Sequence, residues 1–427
     1  MKRALIIAYY WPPAGGPGVQ RWLKFVKYLP QFQIKPYVYI PENPSYPIID
    51  KALIEEVSEE VAIVRFPIKE PYRLASSVSS GQSDTISKGI IPSEKKQSIR
   101  QRLLLFIRGN FFIPDARKQW VKPSVSFLSE YIIANEISTI ITTGPPHSLH
   151  LIGLGLKKER PGIRWIADFR DPWTTIGYHK KLKLTPFARK KHKQLEKQVL
   201  NSADQLITTS FITKTHFEEL TSKPVTVITN GYDDISVEAL KLDSRFSISH
   251  IGTLLNDRNP EILWQVLQEI VYEDTTFRSS LQINLIGSVG REVIESLERH
   301  RLTQFLNLKG YVSHDEAVRS QRQSQLLLLV EIDSEETQAI IPGKLFEYMA
   351  SNRPILALGP RGSDVEQLVK ETNTGRYHHY DEGEALKQTI IAYFKAFMGG
   401  KLKSHGMGIQ AYHRKNLTKQ LSELILE

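Results

Sequence analysis

Ile341-Pro-Gly-Lys-Leu-Phe-Glu-Tyr-Met-Ala-Ser-Asn-Arg-Pro-Ile-Leu-Ala357 is the stretch on which the reading of this chain turns. Leu345, Phe346 and Met349 fall on one helical face, and an apolar run from Pro354 to Leu358 follows, so the spacing predicts a helix over 344–351 and a buried strand over 354–358. Pro342 suits a first helical position, where its missing N–H is not needed. The amides of Gly343, Lys344 and Leu345 are then expected to face an anion that the helix dipole favours. Lys344 adds a full positive charge, and Glu347, one turn on, is placed to accept two hydroxyls of a ribose or sugar ring. The same residues also fit a plain amphipathic core helix.

Outward from this segment, short apolar runs alternate with helical patterns to both ends of the chain, the βα rhythm of a parallel sheet covered on both faces. Strands are predicted at 3–10, 36–40, 62–67, 139–143, 164–168, 205–209 and 225–229, and the pattern restarts at 248–253, 282–286, 307–311, 326–331 and 354–358. Helices near 260–272, 289–299, 314–322 and 344–351 separate the later strands. Two such halves predict two Rossmann-like domains facing a cleft, an α/β chain. The first is expected over 1–240 and the second over 241–407, with the boundary in the polar stretch 233–247 after Asn230-Gly231. Leu417, Leu421 and Leu424 have the spacing of a packed last helix, within 408–427, that returns to the first domain. The small polar residues of 76–98 predict little structure.

Composition agrees with this division. A chain of 427 residues, 41% hydrophobic, is too long for one ordinary core. No apolar run reaches the roughly 20 residues of a spanning helix, and the amino terminus enters a strand pattern directly, so a cytoplasmic chain is expected. The absence of cysteine excludes disulfides and thiolate metal sites. A formal charge of +10 favours anionic partners. Its clusters are Lys95, Lys96, Arg100, Arg102, Arg108, Arg117 and Lys118, then Lys180, Lys181, Lys183, Arg189, Lys190, Lys191, Lys193 and Lys197. No nucleic-acid-binding motif accompanies them. Around 99–113 basic residues flank Leu103-Leu-Leu-Phe-Ile107, which suits an anionic membrane surface or, equally, a core helix with a solvated basic end.

Several turns carry residues of chemical interest. The first βα turn, Tyr9-Tyr-Trp-Pro-Pro-Ala-Gly-Gly-Pro-Gly-Val-Gln-Arg21, offers Gly15, Gly16 and Gly18 for close backbone approach to a ligand. It lacks the Gly-x-Gly-x-x-Gly spacing of a dinucleotide site. Asp168-Phe-Arg-Asp-Pro-Trp173 ends a predicted strand at the sheet edge where ligands gather; its bland reading is an ion network of Arg170 with its own aspartates under Trp173. Upstream, in Thr142-Thr-Gly-Pro-Pro-His-Ser-Leu-His150, His147 sits at a loop-to-helix junction and reads as either a catalyst or a capping residue. In His250-Ile-Gly-Thr-Leu-Leu-Asn-Asp-Arg-Asn-Pro-Glu261, Arg258 precedes a helix and can hold phosphate oxygens bidentately. No carboxylate cluster suggests a divalent metal, and no cofactor is expected.

Taken together, these stretches resemble the retaining glycosyltransferases of family 4, which have the two-domain GT-B fold, along nearly the whole chain. Asp168 to Trp173 and Thr142 to His150 resemble a signature of bacterial envelope sugar transferases. The resemblance implies a metal-independent, retaining transfer of a sugar from a nucleoside diphosphate to a hydroxyl of a cell-envelope glycan; the basic, apolar segment 99–113 adds the expectation of a lipid-linked acceptor and peripheral membrane attachment. It places Arg258 and Lys344 on the leaving diphosphate, with Arg170, Asp171 and His147 as further catalytic candidates. Donor contacts are implied for Gly252, Thr253, Gly343, Leu345 and Glu347; Gly287 falls where the family holds the nucleobase, and Tyr311 or Val312 fits either a base contact or ordinary strand packing. Gly15, Gly16 and Gly18 fall in the loop beside the transferred sugar and acceptor. Family members usually carry a further glutamate where this chain has Ala339, with Glu335 and Glu336 close by, so the sugar stays open. A nucleotide-sugar 2-epimerase and a non-catalytic nucleotide-sugar-binding protein are the alternatives on this fold.

Overall fold

Side-chain alternation builds the first sheet: Leu5 and Ile7 of strand β1 (Lys2–Ile7) enter the core on one face, Ala4 and Ile6 that on the other. The computed structural model describes residues 1–70, 99–175, 179, 182–234 and 240–427. The stretch 76–98, with Lys95 and Lys96, lies outside the described residues, as do Lys180, Lys181 and the side chain of Arg100. The chain forms two units, Met1–Asn230 with Arg414–Glu427, and Gly231–His413.

In the first unit β1 is joined by β2 (Ile34–Pro41), β3 (Ala62–Phe66), β4 (Thr139–Gly144), β5 (Arg164–Phe169), β6 (Gln205–Thr208) and β7 (Val225–Val227), in the spatial order β3-β2-β1-β4-β5-β6-β7. Every pairing is parallel. Helices Lys118–Ala134, Ser148–Glu159, Pro186–Ser202 and Phe211–Leu220 cover one face, and helix Pro17–Tyr28 covers the other. The last helix, Arg414–Leu426, packs Leu417, Leu421 and Ile425 against Trp22 and Val26 in that second core. Lys2 and Arg164 donate to its final carbonyls, Leu426 O at 3.2 Å and Leu424 O at 3.1 Å, a favourable placing of cations at a helix carboxyl end.

The second unit repeats the plan with β8 (Phe246–Ile251), β9 (Leu281–Ile286), β10 (Leu306–Lys309), β11 (Leu326–Val330), β12 (Ile355–Leu358) and β13 (Gly375–His378), ordered β10-β9-β8-β11-β12-β13 and again all parallel. Leu326, Leu328, Leu356 and Leu358 interdigitate with Trp264, Leu267 and Ile270 of helix Glu261–Glu273. The sequence reading differs in bounds at 307–311, where the strand ends at Lys309 and Tyr311 stands on the following turn. It also omits β13, whose Gly375-Arg-Tyr-His378 lacks an apolar run, because only its register on β12 recruits it into the sheet.

Candidate functional site

In the second unit the site grows from three strand ends. Gly252 follows β8 and Gly287 follows β9, both with positive φ (117° and 119°). A Cβ on Gly287 would meet Gly252 O at 2.5 Å, and one on Gly252 would meet Lys344 Nζ at 2.7 Å, so both must be glycine for the backbone to turn here under the lysine. The chain then makes one 3-10 turn, Asn256–Arg258, which carries Arg258 back over the end of β11. Arg258, Glu331, Thr337, Ile340, Pro342 and Lys344 line a cavity of about 60 Å³, together with the backbone end of β11.

Lys344 Nζ donates to His250 Nε2 at 3.2 Å. His250 is buried, and its Nδ1 lies 3.0 Å from Leu328 O, which requires the proton on Nδ1 and leaves Nε2 as acceptor. Burial and the Lys344 charge hold His250 well below its usual range, so it stays neutral. Burial first, then the Arg258 charge, lowers Lys344 to about 7, against the pull of Glu347. The full charge expected of Lys344 is therefore only partly present at neutral pH, since a desolvated ammonium beside a guanidinium loses its proton easily. The Arg258 Nε is buried with no hydrogen-bond partner among the described residues.

Glu331 was legible only as a strand end. It is 5% exposed, and burial pushes it up to about 8 against hydrogen bonds from Tyr377 and Ser363 and the Arg258 charge. The Tyr377 hydroxyl donates to Glu331 Oε2 at 2.7 Å and lies 2.8 Å from Pro360 O. Burial favours the neutral form of Glu331, which weakens its hold on Arg258.

Other expectations around the segment shift. Helix Lys344–Ala350 is seven residues long with Gly343 as N-cap, so Pro342 precedes the cap and is not the first helical residue. The Leu345 amide donates to Pro342 O at 3.0 Å and its side chain is buried, which withdraws Leu345 from any ligand. Glu347 is half-buried and its Oε2 accepts from Gln321 Nε2 at 2.9 Å. Thr253 is exposed, Val312 half-buried, and Tyr311 96% exposed, which excludes ordinary strand packing for the tyrosine. Glu335 and Glu336 are exposed and outside the cavity lining.

In the first unit Asp168 is a buried hub that accepts from Arg21 Nη2 at 3.0 Å, Trp22 Nε1 at 2.8 Å and Thr143 Oγ1 at 2.8 Å. Its ion-pair partner is Arg21, while Arg170 still feels the charges of Asp171 and Asp168, so the network read from the sequence gains a member from another helix. Arg170 donates to Pro145 O, and a Cβ on Gly18 would run into its guanidinium. Gly18 thus makes room for Arg170, and Gly15 abuts Ile48 and Asp50; of the three loop glycines, Gly16, with φ 107°, is the one facing open space. Asp171 is half-buried, and burial raises it above the ordinary carboxylate range. His147 is the N-cap residue of helix Ser148–Glu159, but its side chain makes no capping hydrogen bond. Its ring stacks on Trp173 at 5.0 Å, both nitrogens are buried without hydrogen-bond partners among the described residues, and burial favours its neutral form. Among the described residues no group of three or more His, Asp or Glu is placed to hold a metal ion.

No protein-family model and no curated protein sequence matches the chain. Solved structures do. A glycosyltransferase from Rickettsia africae superposes with a TM-score of 0.60 at 12% identity, over 100% of this chain and 99% of that one. Anabaena Alr3699/HepE, solved with UDP-glucose, gives 0.59 at 12% identity over all of both chains. WaaG, a glycosyltransferase involved in lipopolysaccharide biosynthesis, gives 0.53 at 9% over 99% of each. The likeness shows that this chain has the GT-B glycosyltransferase fold.

Proposed function

We propose that the protein is a retaining, metal-independent glycosyltransferase that moves a sugar from a nucleoside diphosphate to a hydroxyl of a cell-envelope glycan. The observation that carries this reading is the meeting of Arg258 and Lys344 on one small cavity, with Glu331, whose charged form burial disfavours, as the carboxyl among its described lining residues. Two basic side chains on one cavity suit a leaving diphosphate, and in a partly desolvated site they stabilise developing charge without reorganising. Arg258 holds phosphate oxygens; Lys344, its proton easily lost in the empty site, is recharged when a diphosphate enters. Neutral His250 positions the ammonium. Glu347, beyond the same helix start, accepts donor hydroxyls. Attack from the face of the departing phosphate needs leaving-group stabilisation more than a strong base, which suits this composition. That HepE was solved with UDP-glucose and that WaaG acts in lipopolysaccharide biosynthesis support the donor class and the envelope role.

The acceptor we infer is lipid-linked, approached from the inner surface of a membrane. Helix Ile99–Phe111 buries Leu105 but presents Leu103, Leu104, Phe106 and Phe111 outward, beside Arg102 and Arg108, which suits an anionic bilayer. No helix among the described residues is long and apolar enough to cross a membrane. The test is incubation with a panel of nucleoside-diphosphate sugars without added metal: the proposal expects release of the nucleoside diphosphate by transfer or slow hydrolysis. Acceptor-free epimer formation, or binding without turnover, would replace it with one of the two alternatives on this fold.

A further inference from the structure

The first unit holds a second basic cavity, far larger than the first, of about 460 Å³, lined by Thr174, His179, Leu184, Arg189 and Lys193. Arg189 and Lys193 stand four residues apart on helix Pro186–Ser202, hence on one face. Opposite charges take that spacing in Lys214–Glu218, Arg291–Glu295 and Lys370–Glu366. Here two cations are adjacent, and neither has an ion-pair partner among the described residues. Glu196, the helix's only acid, is buried and accepts from the Thr174 amide at 3.1 Å and hydroxyl at 2.5 Å. His179 is 7% exposed, and its Nε2 has no hydrogen-bond partner among the described residues.

A pair of like charges at this spacing costs stability unless an anion lies between them. The cavity is also amphiphilic. Asn110 of helix Ile99–Phe111 donates to Lys183 O at 3.2 Å and accepts from the Thr185 amide at 2.7 Å, which fastens the outward apolar helix to the segment that opens the cavity. Leu105, Leu182 and Leu184 form one small apolar cluster there, and Phe187 at the helix start is 75% exposed.

We propose that this cavity binds a phosphate or diphosphate group through Arg189, Lys193 and His179, as the anionic anchor of the acceptor. As an acceptor anchor it rests on the transferase reading above; as an anion site it stands alone. Binding of farnesyl diphosphate and of inorganic pyrophosphate is measured calorimetrically on the full chain carrying Arg258→Ala and Lys344→Ala, which removes the cations of the other cavity. Adding Arg189→Gln and Lys193→Gln should weaken farnesyl diphosphate by about tenfold or more, as loss of charge-assisted bonds does. Lys193→Gln alone should show part of that loss. Tighter binding of farnesyl diphosphate than of pyrophosphate assigns the group to a lipid carrier; equal binding assigns it to the phosphate alone. Unchanged affinity in the Gln variants, or no binding before they are introduced, overturns the proposal. With Arg258 and Lys344 restored, the Gln pair should bind nucleoside diphosphate like the parent. A parent that binds none fails the transferase reading while leaving the anion site to be judged on its own data.

Discussion

Lys344 is the residue whose chemistry the sequence could state only in part. That a lysine stands at a helix start was visible in Pro342-Gly-Lys-Leu345; that it lies on neutral His250 and beside Arg258, and so drops to about 7, comes from tertiary burial that no local pattern encodes. The sign follows directly. Below about 7 the ammonium is present and binds a diphosphate; above it the amine is neutral, so affinity for a nucleoside diphosphate should fall as pH rises from 6 to 9, and binding at pH 8 should take up a proton, read by calorimetry in buffers of different ionisation enthalpy. A flat pH profile would show Lys344 to be fully charged or uninvolved. Glu347 makes a separate expectation. Its replacement by Gln weakens charge-assisted bonds of roughly 1.5–3 kcal/mol each, so donor affinity should drop about tenfold or more with the fold intact. Glu331 was missed because a lone acid after a leucine run carries no signal until Tyr377 and Ser363 are folded onto it.

Strands and helices with an apolar period were the most legible elements: β11, Leu326–Val330, is continuous leucine and valine and was placed to within a residue, whereas β13 needed its neighbour. Asp168-Phe-Arg-Asp171 was legible as a strand end with a charge cluster, but the pairing was not, since Arg21 reaches Asp168 from helix Pro17–Tyr28, 147 positions away. Breaking a buried pair strands the other charge, so Asp168→Ala should destabilise the first unit by roughly 3–5 kcal/mol in thermal melts. Nucleotide binding in the second unit should persist, and an unshifted melt would remove Asp168 from the hub. Helix Ile99–Phe111 makes the corresponding functional prediction. Arg100, Arg102 and Arg108 changed together to Gln should lower sedimentation with acidic vesicles, most at low salt, because exposed charges act over a Debye length of about 10 Å at 0.1 M. Neutral vesicles should bind the parent poorly. Sedimentation of the triple variant equal to the parent would leave the outward leucines without a membrane role.

For the molecule as a whole, two parallel sheets of seven and six strands follow from a βα rhythm that restarts once, and the GT-B likeness extends over 99–100% of the chain at 9–13% identity. Fold survives at such identity because it depends on apolar periodicity, which many residues satisfy; donor and acceptor depend on a few side chains that need not persist. Ala339, in the place where the resembled family has a glutamate, is one such position. What the two units have in common is a pair of basic side chains at a cavity, Arg258 with Lys344 in one and Arg189 with Lys193 in the other. The central claim is that the first of these pairs stabilises a departing diphosphate. Its most direct test is the rate of nucleoside diphosphate release from the nucleotide sugar that the parent turns over, measured without added metal for the parent, Arg258→Ala and Lys344→Ala. The account predicts turnover by the parent and a loss on the order of 100-fold in each variant, as for removal of an oxyanion contact. Release by both variants at the parent's rate, or a parent that releases nothing until a divalent cation is supplied, would contradict it.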